Sequence, residues 1–192
     1  MRLTPGALAR AALLALLAVI LQLSGVGPMR ILGGHPELVP LAVGAVALYA
    51  GSVPGAAMGF CTGFLLDLAV GGTVGVSSLV LSAVGYGVGR YREVRDPAHG
   101  LMPIPVGAAA TLGFLLAFAA VSFMLDVGAA VSPLVLRDML VSTALNAILA
   151  LPVFALCRRL LRPVLLVDPF ERRRRRGPAR EPGPLGLRGL EA

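Results

Sequence analysis

The stretch GSVPGAAMGFCTGFLLDLAV, residues 51–70, decides the fold of this chain. It is mostly apolar with a single acid, Asp67, and it places glycine at every fourth position: Gly51, Gly55, Gly59 and Gly63. In water such a helix would be weak, because each glycine costs about 1 kcal/mol relative to alanine. In lipid the helix must close its own backbone hydrogen bonds, and small residues four apart form a flat stripe for a second helix. The stretch therefore predicts a buried packing surface inside a membrane protein.

The composition of the whole chain agrees with this interpretation. Of 192 residues, 57% are hydrophobic and only 14% are charged, and the mean hydropathy is +0.85. A soluble domain would carry about 25% charged residues. The net charge of +7 does not indicate nucleic acid, since tryptophan is absent and the arginines lie at the ends of apolar segments and in the tail. We expect a single membrane domain.

Six apolar segments predict six helices, and the second is short for a full span of about 20 residues. A model with five spans, in which the second or third segment is broken or re-entrant, stays open. Pro152 is expected to kink the last helix or to reset its hydrogen bonds. The six predicted segments are Ala7–Leu23, Leu38–Ala50, Val53–Val70, Val74–Gly89, Pro103–Leu125 and Leu136–Leu161.

The distribution of arginine favours six spans with both termini in the cytoplasm. With a cytoplasmic N-terminus, every one of the 17 basic residues except Arg30 and Arg137 falls on the inner side, as the positive-inside rule requires. The predicted basic residues at the membrane surface are Arg90, Arg92, Arg95, Arg158, Arg159, Arg172, Arg173, Arg174, Arg175 and Arg176. We expect them to contact anionic lipids.

The domain organisation follows from these patterns. Residues 1–162 are predicted to form the transmembrane helical bundle. Residues 163–192 form a tail rich in arginine, proline and glycine, which we expect to be disordered and to lie at the anionic inner leaflet. The tail is interpreted as a membrane anchor, with a docking site for a cytoplasmic partner as the alternative.

Asp67 is the main candidate for a functional residue, because an acid within a membrane helix is costly and often functional. It also lies close to Gly71 and Gly72 at the end of its segment. Three roles are open: a structural hydrogen bond or loop cap, a contact with a partner, and ion or proton handling. A proton relay needs a chain of ionisable groups, and we find no second acid well inside a segment.

The remaining polar residues are predicted to have structural and not catalytic roles. Gln22 and Asn146 lie within segments, where amides usually bond across helices. His35 and His99 are in predicted loops without companion ligands, and Cys61 and Cys157 are expected to pack in helices. We find no nucleophile with a base, no phosphate loop and no metal spacing. We therefore predict no enzyme, no cofactor and no metal.

Several motifs occur in an order that resembles a known family. His35-Pro36-Glu37-Leu38-Val39 enters a short apolar segment, which is followed by a glycine and proline turn and by Gly-Phe-Cys-Thr-Gly-Phe-Leu-Leu-Asp-Leu, residues 59–68. Gly71-Gly72, Gly75 and Val84-Gly85-Tyr86 then lead into an arginine loop. This order resembles MreD, the rod shape-determining membrane protein of bacteria, over about residues 36–92 and more loosely to about residue 162.

The resemblance implies a non-enzymatic subunit of the cell-elongation machinery in the bacterial inner membrane. It would sit with MreC and link MreB filaments to the peptidoglycan synthases, RodA and a class B penicillin-binding protein. The resemblance also implies which residues carry helix packing or partner contact. These are Gly55, Gly59, Gly63, Asp67, Gly72, Gly75, Gly85 and Tyr86.

The predicted fold is an all-α integral membrane protein, a bundle of about six transmembrane helices. Its fold is expected to be similar to that of the substrate-binding membrane subunit of energy-coupling factor (ECF) vitamin transporters. Such a transport subunit is also the rival function, since Ala7, Ala11 and Ala15 form a small-residue stripe on the first helix. Few polar or aromatic residues are expected on the outer side to hold a solute. A general assembly factor is a third reading.

Overall fold

Six α-helices and one π-helical turn account for most of the described residues of the computed structural model, which are 5–26, 29–31, 33–71, 73–94, 102–125 and 133–165. Within these ranges the β-structure is a single bridge between Ile31 and Gly34. The helices are α1 (Pro5–Leu21), α2 (Leu38–Ala50), α3 (Ser52–Val70), α4 (Val76–Val94), α5 (Pro103–Met124) and α6 (Pro133–Leu165), with the π-turn at Gln22–Val26.

Each predicted apolar segment contains one helix, so the all-α prediction is confirmed. The observed helix ends differ from the predicted ones where charged residues or a proline follow an apolar run. Helix α4 continues past the predicted end at Gly89 to Val94 and so includes Arg90 and Arg92. Helix α6 continues through Pro152 to Leu165, beyond the predicted end of the bundle at residue 162. The rest of the predicted tail, residues 166–192, lies outside the described residues.

Helix α2 forms the centre of the bundle. It contacts all five other helices, and its side chains are buried from Val39 to Leu48. A helix that is apolar all round belongs in such a position. With 13 residues it is only about 20 Å long, against a hydrocarbon thickness of about 30 Å. The short length of α2 is compatible with its central position because the other helices surround it.

The turn between α2 and α3 is a single residue, Gly51, with φ +104°. This backbone conformation suits glycine, because a side chain would be strained there. The chain reverses at this point, and α3 packs beside both α2 and α4. The short second segment is therefore a separate helix and not an extension of the third.

Helices α3 and α4 pack backbone against backbone along the glycine ladder. A Cβ added at Gly55 would lie 2.6 Å from the carbonyl oxygen of Gly85, and one at Gly63 would lie 2.5 Å from the Cα of Ser78. A Cβ at Gly59 would meet the carbonyl group of Leu81. Contacts this short leave no room for a side chain, so the ladder is a helix interface inside the chain.

The helices alternate in direction, so the bundle has two ends. The Glu37 end is defined by the hydrogen bonds that join Gln22 to Leu38, His35 to Ser142 and Asp67 to Gly75. The Glu93 end is defined by the hydrogen bonds of Ser52 with Glu93 and of Tyr49 with Arg92. The first turn of α1 and the last turn of α6 accordingly lie on the side of the Glu93 end.

Among the described residues, three helices are long and apolar enough to cross a membrane: Ser52–Val70, Pro103–Met124 and Leu134–Leu161. Helices α1 and α2 are apolar but shorter. Helix α4 has the length, but its last turns carry Arg90, Arg92 and Glu93. The expectation of six spans with cytoplasmic termini stays a prediction.

Candidate functional site

Glu37 is a buried acid at the start of α2 and is surrounded by polar side chains. Its carboxyl oxygens accept hydrogen bonds from Gln22 Nε2 at 2.7 Å and from His35 Nε2 at 2.8 Å. A buried carboxyl group is costly unless it is paired in this way. We call Gln22, His35, Glu37, Thr111 and Asn146 the Glu37 clamp.

Asn146 ties α6 to the backbone of Glu37. Its Oδ1 accepts the Glu37 N–H, and its Nδ2 donates to the Glu37 carbonyl and to Thr111 Oγ1, each at 2.9 Å. Asn146 and Thr111 are completely buried. One amide therefore joins α2, α5 and α6, which confirms its predicted structural role.

Gln22 completes the first turn of α2 from the π-turn after α1. Its Oε1 accepts the Leu38 N–H at 2.6 Å. The first N–H groups of a helix have no partner within the helix, and the Glu37 side chain makes no capping bond of its own. Gln22 is thus an interhelical cap, as predicted for a structural amide.

His35 connects the clamp to the start of α6. Its N–H donates to Ser142 Oγ at 3.0 Å, and its imidazole pairs with Glu37. The hydrogen bond to Glu37 raises the pKa of His35, with burial opposing and the nearby Asp138 assisting. The histidine, predicted to stand alone, therefore has a buried acid as its companion.

Asp67 holds the turn between α3 and α4. Its Oδ2 accepts the Gly75 N–H at 2.7 Å, its Oδ1 accepts the Ser77 N–H at 3.3 Å, and its side chain is 5% exposed. An acid is favourable here because the N-terminus of α4 carries a partial positive charge. Of the three predicted roles, the loop cap is the one observed. Partner contact and ion handling stay predictions.

A cavity of about 700 Å³ separates the Glu37 clamp from Asp67. Its walls are mostly apolar, and its polar groups come from the π-turn, the segment before α2, the α3–α4 hairpin and α5. The residues that line it include Gln22, His35, Glu37, Asp67, Phe114 and Phe118. A mostly apolar pocket of 300–1,000 Å³ with a few convergent polar groups is typical of small-molecule sites.

The Glu93 end is held by a second set of polar contacts. Glu93 Oε1 accepts hydrogen bonds from the Ser52 N–H at 3.0 Å and from Ser52 Oγ at 2.6 Å, and Glu93 Oε2 pairs with Arg90 at 3.2 Å. Arg92 donates to the Tyr49 carbonyl. Arg92 therefore also joins α4 to α2, a role that the sequence did not predict, whereas Arg90 pairs with Glu93 within α4.

The other predicted site residues lie in different surroundings. Gly75, with φ +105°, lies in the turn held by Asp67, and Tyr86 is half exposed on α4. Arg158 and Arg159 are exposed near the end of α6. The predicted residues that fall outside the described ranges are Gly72, Arg95, Arg172, Arg173, Arg174, Arg175 and Arg176.

Sequence reasoning did not include the Glu37 clamp in the site. Glu37 directly precedes a predicted apolar segment, and the sequence analysis predicted no buried acid there. The available signal was a short, wholly apolar segment with an acid directly before it, since its helix would be central and its first turn buried. Asn146 is 109 residues away, so the pairing depends on the tertiary fold.

The chemistry of the described side chains is that of helix joining. In those parts of the chain no three residues among His, Cys, Asp and Glu come together as metal ligands. The polar groups of the clamp bond mainly to one another and to backbone, and Asp67 bonds to backbone. The arrangement fixes the ends of helices.

The fold and the site define the class of protein: an apolar helical bundle, held by close helix contacts and buried polar joints, in which three of the described helices are long and apolar enough to cross a membrane. The family model for the rod shape-determining protein MreD matches residues 6–160. The chain belongs to the MreD family, which confirms the resemblance drawn from the sequence. It is therefore a shape-determining membrane protein. No curated protein and no solved structure matches the chain.

Proposed function

We propose that this protein is a non-enzymatic scaffold subunit of the cell-elongation machinery in the bacterial inner membrane. It links MreC and MreB to the peptidoglycan synthases, RodA and a class B penicillin-binding protein. The observation that carries the proposal is the family match over residues 6–160. The geometry supports it, because the polar groups of the described residues are used to join helices.

A multi-pass topology with cytoplasmic termini is part of the proposal. The described arginines toward the Glu93 end are Arg10, Arg90, Arg92, Arg158 and Arg159, whereas Arg30 and Arg137 lie toward the Glu37 end. Basic residues accumulate on the cytoplasmic side of membrane proteins. The Glu93 end is accordingly the cytoplasmic end, and the Glu37 end faces outward.

The helix surfaces leave room for partner contact outside the α3–α4 interface. Helix α3 turns Phe60, Phe64 and Leu68 outward, and the rings of Phe60 and Phe64 stack at 6.4 Å. Lipid accounts for exposed apolar side chains in a membrane protein, and a partner helix would occupy the same kind of surface. The ladder acts on the complex indirectly by fixing the shape of this surface.

The test is affinity purification of the full chain from native membranes in mild detergent, with mass spectrometry of the recovered proteins. We expect MreC-like protein and the cell-wall synthases with the wild type and much less of them with Gly59→Leu. Gly87→Leu is the matched control, because Gly87 lies on α4 with nothing within 4 Å of an added Cβ. Recovery of ATPase and coupling subunits, without wall proteins, would contradict the scaffold proposal.

A further inference from the structure

We propose that the cavity at the Glu37 end binds the ammonium head group of a membrane lipid, with an acyl chain along its apolar wall. The cavity, of about 700 Å³, is open to the outside. It is lined by residues of α3, α4, α5 and the π-turn, and the proposed ligand would reach it from the bilayer. The inference goes beyond the scaffold role and does not depend on it.

The charges around the cavity favour a cation. Two carboxyl groups, Glu37 and Asp67, line it, and both residues are buried. Glu37 has an ion pair with His35. Asp67 bonds only to backbone N–H groups, and no basic side chain among the described residues forms an ion pair with it. A positive head group would supply the missing countercharge.

Two aromatic side chains in the cavity wall favour an ammonium group as the cation. Phe114 and Phe118 line the cavity on α5 with their ring centroids 5.7 Å apart. An ammonium group is attracted to the face of such rings. A metal ion is the poorer candidate, because it requires several ligands around one point and no such cluster occurs in the described residues.

The remaining wall suits a hydrocarbon chain. Leu66, Val70, Val76 and Leu125 line the same space, and an acyl chain can pack against such side chains by van der Waals contact. The ligand is thus an amphiphile with a cationic amine at one end. An aminophospholipid such as phosphatidylethanolamine has this chemistry, and a soluble long-chain amine shares it.

The test uses photoreactive hexadecylamine, with the diazirine on its chain, and the full chain in nanodiscs of phosphatidylglycerol. The matched probe is the same chain ending in a hydroxyl group. We expect the amine to label peptides of α3 and α5 about fivefold more than the alcohol, which corresponds to about 1 kcal/mol. Equal labelling by the two probes would overturn the proposal.

Two variants on one helix separate the cavity from general lipid contact. Ser122→Phe adds a ring to the cavity wall, whereas Ala120→Phe adds one to the exposed side of α5. Labelling by the amine should fall with Ser122→Phe and persist with Ala120→Phe. Asp67→Asn should reduce the preference for amine while leaving labelling by the alcohol in place. Labelling that is indifferent to Ser122→Phe would contradict the assignment.

Competition identifies the source of the amine. Phosphatidylethanolamine added to the nanodiscs should suppress labelling, whereas more phosphatidylglycerol should not. Suppression by soluble alkylamine but not by phosphatidylethanolamine would overturn the lipid as ligand. Labelling of the isolated chain that disappears when its copurified partners are present would assign the cavity to a protein segment and would also overturn it.

Discussion

Glu37 and Asp67 are buried carboxyl groups whose positions follow from the helix ends beside them. Glu37 stands before α2, and its backbone and side chain are held by Asn146 and Gln22. Asp67 lies in the last turn of α3 and caps α4. A buried carboxyl group is tolerated when each of its oxygens accepts a hydrogen bond. Both acids satisfy this condition by joining elements that are distant in the chain or separated by a turn.

Replacing Asp67 tests the cap. Asp67→Ala should lower the free energy of unfolding by about 1 kcal/mol, because two N–H groups at the start of α4 lose their acceptor. Asp67→Asn should cost less, since its amide oxygen still accepts one hydrogen bond. The measurement is thermal unfolding of the purified protein in detergent. Equal stability of Asp67→Ala and the wild type would contradict the capping role.

The pair of His35 and Glu37 predicts a dependence of stability on pH. The pKa of His35 is raised from its ordinary value of 6.5 by Glu37, with Asp138 adding to the rise and Arg30 opposing it. Stabilisation by the protonated imidazole is therefore complete below about pH 6.5 and is lost as the pH rises through the pKa of the folded state.

The matched variant is His35→Gln, which keeps a polar side chain without the titration. The difference in melting temperature between wild type and variant should be largest at acid pH and should shrink in alkaline buffer. A difference that is constant across this range, or that grows with pH, would refute the proposed contribution of the ion pair.

At the scale of elements, the α3–α4 hairpin is the most closely packed part of the molecule. Gly55, Gly59 and Gly63 face backbone atoms of α4, while Gly85 and Gly89 face those of α3. In lipid, van der Waals packing and interhelical hydrogen bonds replace the hydrophobic effect as the force between helices. Replacing one of these glycines with a larger residue should therefore push the two backbones apart over a whole helical turn.

Two alanine substitutions compare a packed glycine with an open one. Gly59→Ala places a Cβ against the backbone of Leu81 and Ser82, and we expect a loss of about 1–3 kcal/mol. Gly87→Ala meets nothing within 4 Å, so it should leave stability unchanged or raise it slightly, because alanine favours the helix. Unfolding in detergent measures both. Similar effects of the two variants would contradict the packing account.

The sequence predicted the helices well and the joints between them less well. The apolar segments and the glycine stripe are local patterns, so they gave all six helices and the packing face of α3. The Glu37 clamp is non-local, because it unites residues from the π-turn, α2, α5 and α6. The cavity was missed for the same reason: Phe114 and Phe118 are far from Glu37 in the chain and close only in the fold.

At the scale of the whole molecule, the alternating helices put opposite sets of residues at the two ends. Arg90 and Arg159 lie toward the Glu93 end, and Met29 and Arg30 precede α2 at the Glu37 end. This separation is what the proposed topology requires, with the more basic end in the cytoplasm. The short α2 fits because it is enclosed by the other five helices.

Cysteine labelling in cells tests this orientation. In a background with Cys61→Ala and Cys157→Ala, a membrane-impermeant maleimide should react with Met29→Cys in intact spheroplasts. Arg159→Cys should react only after permeabilisation. The cysteine-free background is the control for labelling of other proteins. Reaction of both cysteines from the same side would contradict the six-span topology.

The central claim is that a glycine-packed bundle supports cell elongation, and rescue of cell shape tests it most directly. In the host bacterium depleted of its own copy, wild type and Gly87→Leu at equal membrane levels should restore rods of normal width. Cells with Gly59→Leu at the same level should grow round. Normal rods with Gly59→Leu, or round cells with the wild type, would contradict the account.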